Sequence, residues 1–319
     1  MAHTLKSLFA EHPDNAPAIG APGREWMTYG ELKSLSQDVR KILRSAGIGA
    51  TERVAIVLPN GPEMAAAFVT VAQSATTAPL NPAYKEEEFA FYLEDLKACA
   101  IILEAGYTGP ARSAAQRFDM SVIELHPAAK AGQFTLTTET IGAAEDCEPQ
   151  ADDIALILHT SGTTSRPKIV PLLQSNIAAS AQNIQKSLAL TPDDCCLNVM
   201  PLFHIHGLIA AVTASLAAGA SISCAPGFDA LKFYGWLEDV NPSWYTAVPT
   251  MHQAILARAP RNLDIIQNAR LRFLRSSSSS LPGPVMTELA ETFGAPVVEA
   301  YGMTEATHQM CCNPIEPGR

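Results

Sequence analysis

His159-Thr-Ser-Gly-Thr-Thr-Ser-Arg-Pro-Lys168 directly follows the apolar run Ile154-Ala-Leu-Ile-Leu158. The apolar run reads as a buried strand. Beyond it, five hydroxyl side chains (Thr160, Ser161, Thr163, Thr164 and Ser165) surround Gly162, and Arg166 and Lys168 follow at once. Hydroxyls and backbone N–H groups donate to phosphate oxygens, and the Lys168 ammonium offsets their charge. A strand ending this way is therefore suited to a polyanion, above all nucleotide phosphates. The competing reading is a polar surface turn.

The stretch is not a Walker A loop. Aligned on Gly162, Pro167 stands where that loop has its second glycine, and Ile169 where it has the Mg²⁺-binding hydroxyl. Proline has no N–H to give a phosphate, and isoleucine has no oxygen for a metal.

Outward from this point, short apolar strands alternate with helical stretches. Strands are expected at 54–58, 100–103, 154–158, 196–199, 222–225, 244–247, 271–274 and 296–299. Helices are expected at 62–74, 85–98, 174–187, 208–218, 230–237 and 282–293. The pattern gives an α/β fold with parallel sheets covered on both faces. Ligands in such sheets sit beyond the carboxyl ends of strands, and the loops after 158, 199 and 300 are placed there. The run Ser276–Ser280 follows one strand and precedes a proline-started helix, so its N–H groups are candidates to face a ligand.

The 319 residues are 47% hydrophobic and 17% charged, a globular composition. A net charge of −10 argues against general affinity for nucleic acid or anionic membranes, so any polyanion site is local. Seven cysteines without a C-x-x-C spacing indicate reduced thiols in an intracellular compartment, cytoplasmic or peroxisomal. The uncharged window 207–228 is long enough to span a bilayer. Its small residues, Gly219 and Pro226-Gly227 favour a buried helix, a glycine cap and a strand instead.

Five ordered motifs resemble the adenylate-forming superfamily of acyl-CoA synthetases, luciferases and adenylation domains. They are the 159–168 stretch, Val298-Glu-Ala-Tyr-Gly-Met-Thr-Glu305, Pro201-Leu-Phe-His-Ile-His-Gly207, Met27-Thr-Tyr-Gly-Glu-Leu32 and Pro79-Leu-Asn-Pro-Ala-Tyr84. The His-Ile-His-Gly and Thr-Ser-Arg-Pro-Lys versions look most like the oxalate–CoA ligase branch. The resemblance implies two doubly wound subdomains, 1–172 and 173–319. It also implies an ATP-dependent ligase that makes an acyl-adenylate and then a thioester with CoA.

By the same resemblance, Lys168 and the hydroxyls of Thr160, Ser161, Thr163 and Thr164 with Gly162 hold the β- and γ-phosphates. Thr304 donates to the α-phosphate, Glu305 ligates Mg²⁺, Tyr301 stacks on adenine beside Gly302 and Met303, and Ser278 and Ser279 border the base. His204 occupies the gating position. His204 and His206 alternate around Ile205 and would share a face on an extended segment. With Arg275 they are candidates to hold the acid, because the far carboxylate of a dicarboxylate needs a buried partner.

Three departures accompany the match. Ser165 stands where many family members carry glycine, a mild change if the backbone angle is ordinary. Ile169 stands where the family usually has glycine, and a β-branched residue resists positive φ. The chain also ends before the small barrel and mobile C-terminal lid implied by the resemblance. It therefore reads as a fragment, expected to make no acyl-CoA alone and to show poor solubility or partial disorder after about residue 306. The alternatives are a non-catalytic nucleotide- or acyl-binding remnant and a fatty-acid–CoA ligase. Oligomeric state is left open.

Overall fold

Two mixed sheets organise the chain in a computed structural model that describes residues 3–139, 142–160 and 167–315. The first has seven strands in the order β7 (Phe134–Thr137), β6 (Ser121–Pro127), β5 (Ala100–Glu104), β3 (Arg53–Val57), β4 (Thr76–Pro79), β8 (Ile154–Thr160) and β9 (Lys168–Leu173). The second has eight: β15 (His308–Cys312), β14 (Val297–Met303), β13 (Phe273–Ser276), β12 (Trp244–Ala247), β10 (Cys195–Asn198), β11 (Ser221–Cys224), β1 (Pro17–Gly20) and β2 (Met27–Thr28).

Interior pairings are parallel, as the alternation of strands and helices predicts, but both edges of each sheet are antiparallel. The edge strands β2, β7, β9 and β15 return within hairpins too short for a crossover helix. The second sheet also draws β1 and β2 from residues 17–28, with Ile19 and Gly20 opposite Ile222 and Ser223.

Period-two alternation distributes each strand between two cores. Val54 and Ile56 face the space between the sheets, whereas Ala55 and Val57 face outward. Likewise Trp244 points inward and Tyr245 and Ala247 outward. The inner space is filled by α2 (Tyr29–Ser45), α3 (Pro62–Ala72) and α6 (Gln174–Ser187), joined by α1 (Leu5–Phe9), a π-helix (His206–Thr213) and α7 (Ala214–Ala217). Helices α4 (Glu86–Leu96) and α5 (Pro110–Arg117) cover the first sheet outside. Helices α8 (Phe233–Val240), α9 (Pro249–Leu256), α10 (Leu263–Asn268) and α11 (Gly283–Phe293) cover the second.

Helix α2 starts where its sequence dictates: Thr28 accepts from the Glu31 N–H, and the Glu31 carboxylate accepts from the Thr28 N–H at 2.8 Å. The 207–228 window forms π-helix, α7 and β11, with Gly219 at φ +71 between them. No described helix is long and apolar enough to cross a membrane.

Candidate active site

Strands β8 and β9 flank the hydroxyl-rich stretch and pair antiparallel, with Thr160 opposite Lys168. A strand on each side differs from the strand and helix that flank a Walker A loop. Ser161, Gly162, Thr163 and Thr164 lie outside the described residues. Thr160 ends β8 half-buried, and Lys168 opens β9 exposed, with no ion pair among the described residues. Ile169 is an extended strand residue opposite His159 and packs on the outer core, so its backbone avoids positive φ.

The adenine motif corrects the sequence reading. Residues 301–303 were expected in a loop, yet β14 continues to Met303 because β15 pairs back along it. Residues 308–312 accordingly form a strand. The pairing admits only glycine at 302: a Cβ there would lie 1.5 Å from the His308 carbonyl oxygen. Thr304 and Glu305 follow in a 3₁₀ turn, with Glu305 exposed.

The histidine loop also departs from expectation. The segment is not extended: helical structure begins at Ile205–His206, so His204 stays exposed while His206 is 2% exposed. Gly207 lets that turn close, since a Cβ would meet the Pro201 carbonyl oxygen at 2.6 Å. The first residue of the π-helix is thereby aimed at the strand ends of the second sheet, and π segments recur at functional sites.

There His206 meets Arg275, which is fully buried on β13. Arg275 Nη1 approaches His206 Nε2 at 3.2 Å, and its Nη2 approaches His308 Nε2 at 3.1 Å and Gln309 Oε1 at 3.0 Å. A guanidinium only donates, so both Nε2 atoms accept and each imidazole carries its proton on Nδ1. His206 Nδ1 then donates to Ser278 Oγ at 2.9 Å, and the Thr246 hydroxyl reaches His206 Nε2 at 2.6 Å. Ser278 holds a left-handed φ of 73°, a conformation that costs about 1–3 kcal/mol and that this hydrogen bond helps to hold.

Arg275 has no carboxylate partner among the described residues. Burial pulls it down to about 10, which still leaves it charged at neutral pH. Burial, reinforced by the Arg275 charge, holds His206 and His308 well below the usual histidine range, and burial takes His252 to about 4. These three histidines bind protons more readily unfolded than folded. Their contribution is thus complete above the unfolded value of 6.5 and is lost as pH falls through it. The urea midpoint is expected to drop between pH 7.5 and pH 5.5, with a slope of up to about 1.4 kcal/mol per pH unit for each histidine. An unchanged midpoint would show that these rings take up protons as readily in the folded chain as in the unfolded one.

Two cavities share Ser278 and Gly302 in their walls. One, of about 380 Å³, is lined by His159, His204, His206, Met303, Thr304 and His308. The other, of about 610 Å³, is lined by Ser278, Ser279, Ser280, Tyr301, Gly302 and Cys311. Tyr301 is 63% exposed at its mouth. The structure thus joins His204, His206, Met303 and Thr304 around one space and Ser278, Ser279 and Tyr301 around the other. Lys168 borders neither.

Sequence reasoning missed His308, whose only signal is its place three residues after Glu305. It also missed Thr246, Gln309 and the pairing of His159 Nε2 with Asp95 Oδ2 at 3.0 Å.

The model of the AMP-binding enzyme family matches residues 6–319. The chain belongs to that family. Among its curated relatives, this AMP-binding enzyme is 39% identical to an oxalate–CoA ligase of Arabidopsis thaliana, over 98% of the chain and 62% of the relative. An oxalate–CoA ligase of Saccharomyces cerevisiae is 37% identical over 84% of the chain and 53% of its own length. ATP-bound MatB from Rhodopseudomonas palustris superimposes with a TM-score of 0.86 at 27% identity, covering all of this chain and 63% of that one. The AMP-binding enzyme chain therefore spans about three fifths of its relatives' length.

Proposed function

We propose that this chain is the nucleotide- and acid-binding portion of an ATP-dependent carboxylate–CoA ligase for a small dicarboxylic acid such as oxalate. The observation that carries the reading is Arg275. A buried guanidinium without a carboxylate partner among the described residues is costly, and an anion held against its two imidazoles offsets part of that cost. Arg275 does not itself line the smaller cavity; it fixes the two imidazoles that do. With its Nε2 occupied, His308 offers its Nδ1–H to an acid in that space.

The larger cavity suits ATP, with adenine against Tyr301 and the serine run. Its phosphates extend toward Lys168 and the 160–165 hydroxyls, and Thr304 donates to the α-phosphate. Mg²⁺ takes one or two carboxylates together with phosphate oxygens and water. Exposed Glu305 fits that chemistry as a single hard donor. CoA is the expected co-substrate, with His204 at the gate between solvent and the acid. The oxalate–CoA ligase relatives and the ATP-bound MatB neighbour support this assignment.

Calorimetric titration of oxalate, malonate, acetate and hexanoate into the ATP-loaded protein tests it. Oxalate is expected to bind at least about tenfold more tightly than acetate, from a second charge-assisted hydrogen-bonding group. Equal affinities would reject a dicarboxylate site. Lys168→Ala is expected to weaken ATP binding about tenfold or more, the value of one hydrogen bond to a charged group. Unchanged ATP affinity would remove Lys168 from the phosphate site.

A further inference from the structure

A third cavity, of about 300 Å³, lies at the opposite end of the first sheet. Gln73 and Ser74, on its wall, precede the start of β4, whereas the ligand loops follow strand ends. It shares no lining residue with the two cavities of the active site.

Its composition is that of an amphiphile site. Phe9 supplies a buried apolar wall, and Lys6, Lys33 and Arg40 stand around it with Glu148 as the one lining carboxylate. Glu148 sits between two of these cations, Oε1 lying 2.5 Å from Lys6 Nζ and 2.6 Å from Arg40 Nη1. The chain's own carboxylate thus shows that this pair accommodates such a group. Arg40 and Lys33 also reach outward, to Asp146 and Asp14. On the wall, Ser74 is 1% exposed and its Oγ has no hydrogen-bond partner among the described residues, a state that buried hydroxyls rarely keep.

We propose that this cavity binds a small monocarboxylate with a short apolar body. Its carboxylate displaces Glu148 from Lys6 and Arg40, its apolar part packs on Phe9, and the site is separate from the one that holds the reacting acid.

Saturation-transfer NMR with hexanoate tests the assignment on three variants of the whole chain. Arg40→Gln is expected to weaken hexanoate binding about fivefold. Glu148→Gln is expected to strengthen it about threefold, because the competing carboxylate is gone; half-exposed ion pairs have effects of this size. A gain of affinity cannot arise from misfolding. Arg275→Met, which alters only the active site, is expected to leave this binding in place. Absence of transfer in both the unmodified protein and Glu148→Gln would overturn the proposal. So would transfer that disappears in Arg275→Met and persists in Arg40→Gln.

Discussion

Arg275→Met is expected to abolish dicarboxylate binding, by about 100-fold or more, while leaving the fold as stable as before or more so. Methionine has similar length and no charge, so it fills the guanidinium's volume on β13 without a desolvation penalty. Replacing buried ionic groups with apolar ones of like size is often neutral or stabilising, whereas removing one member of a buried charge pair costs about 3–5 kcal/mol. In the free protein Arg275 has no anionic partner among the described residues, so the first case governs folding. In the complex the acid lies against the two imidazoles that Arg275 fixes, so loss of the guanidinium weakens binding through them. The two effects have opposite signs, which separates a binding role from a structural one. Thermal unfolding and oxalate calorimetry on one sample read both. A variant that loses several degrees of Tm and binds oxalate normally would assign Arg275 to the core alone.

Gly302→Ala has the other large effect. The added Cβ would sit 1.5 Å from the His308 carbonyl oxygen, a backbone atom held by the β14–β15 pairing, so the hairpin itself must move. Overpacking of this kind costs typically about 1–3 kcal/mol. Displacing His308 also withdraws one of the two imidazoles on Arg275. Both cavities border Gly302, so ATP and acid affinity should fall together, each by about tenfold or more for about 1.4 kcal/mol lost. Retention of both affinities and of Tm would show that the hairpin yields freely. A loss confined to Tm would separate the hairpin from the site.

Much of this architecture is legible in the sequence because apolar periodicity and capping are local. Gln174–Ser187 and Trp244–Ala247 fall where expected, and the remaining predicted strands and helices lie within a few residues. Illegible features depend on distant partners. Strand β14 runs past Glu299 because β15 returns along it, and nothing within 296–303 announces that. The run Leu208–Ala218 is apolar enough for any buried helix; a π-helix arises from Gly207 passing the Pro201 carbonyl, which hydropathy does not encode. Arg275 and His206 were visible as candidates. His308 was not, since its importance comes from a guanidinium thirty-three residues earlier in the chain.

The place of β1 bears on how this chain is made. Residues 17–20 pair with 221–224, so about two hundred residues must emerge before that strand meets its parallel neighbour. At roughly 5–20 residues per second, synthesis leaves it waiting about 10–40 s. During that time the apolar Ala18 and Ile19 and their open backbone edge are available to other chains, and the helices between the sheets have only one surface to lie against. The nascent protein should therefore depend on holding factors until β11 leaves the ribosome, long before any nucleotide site exists.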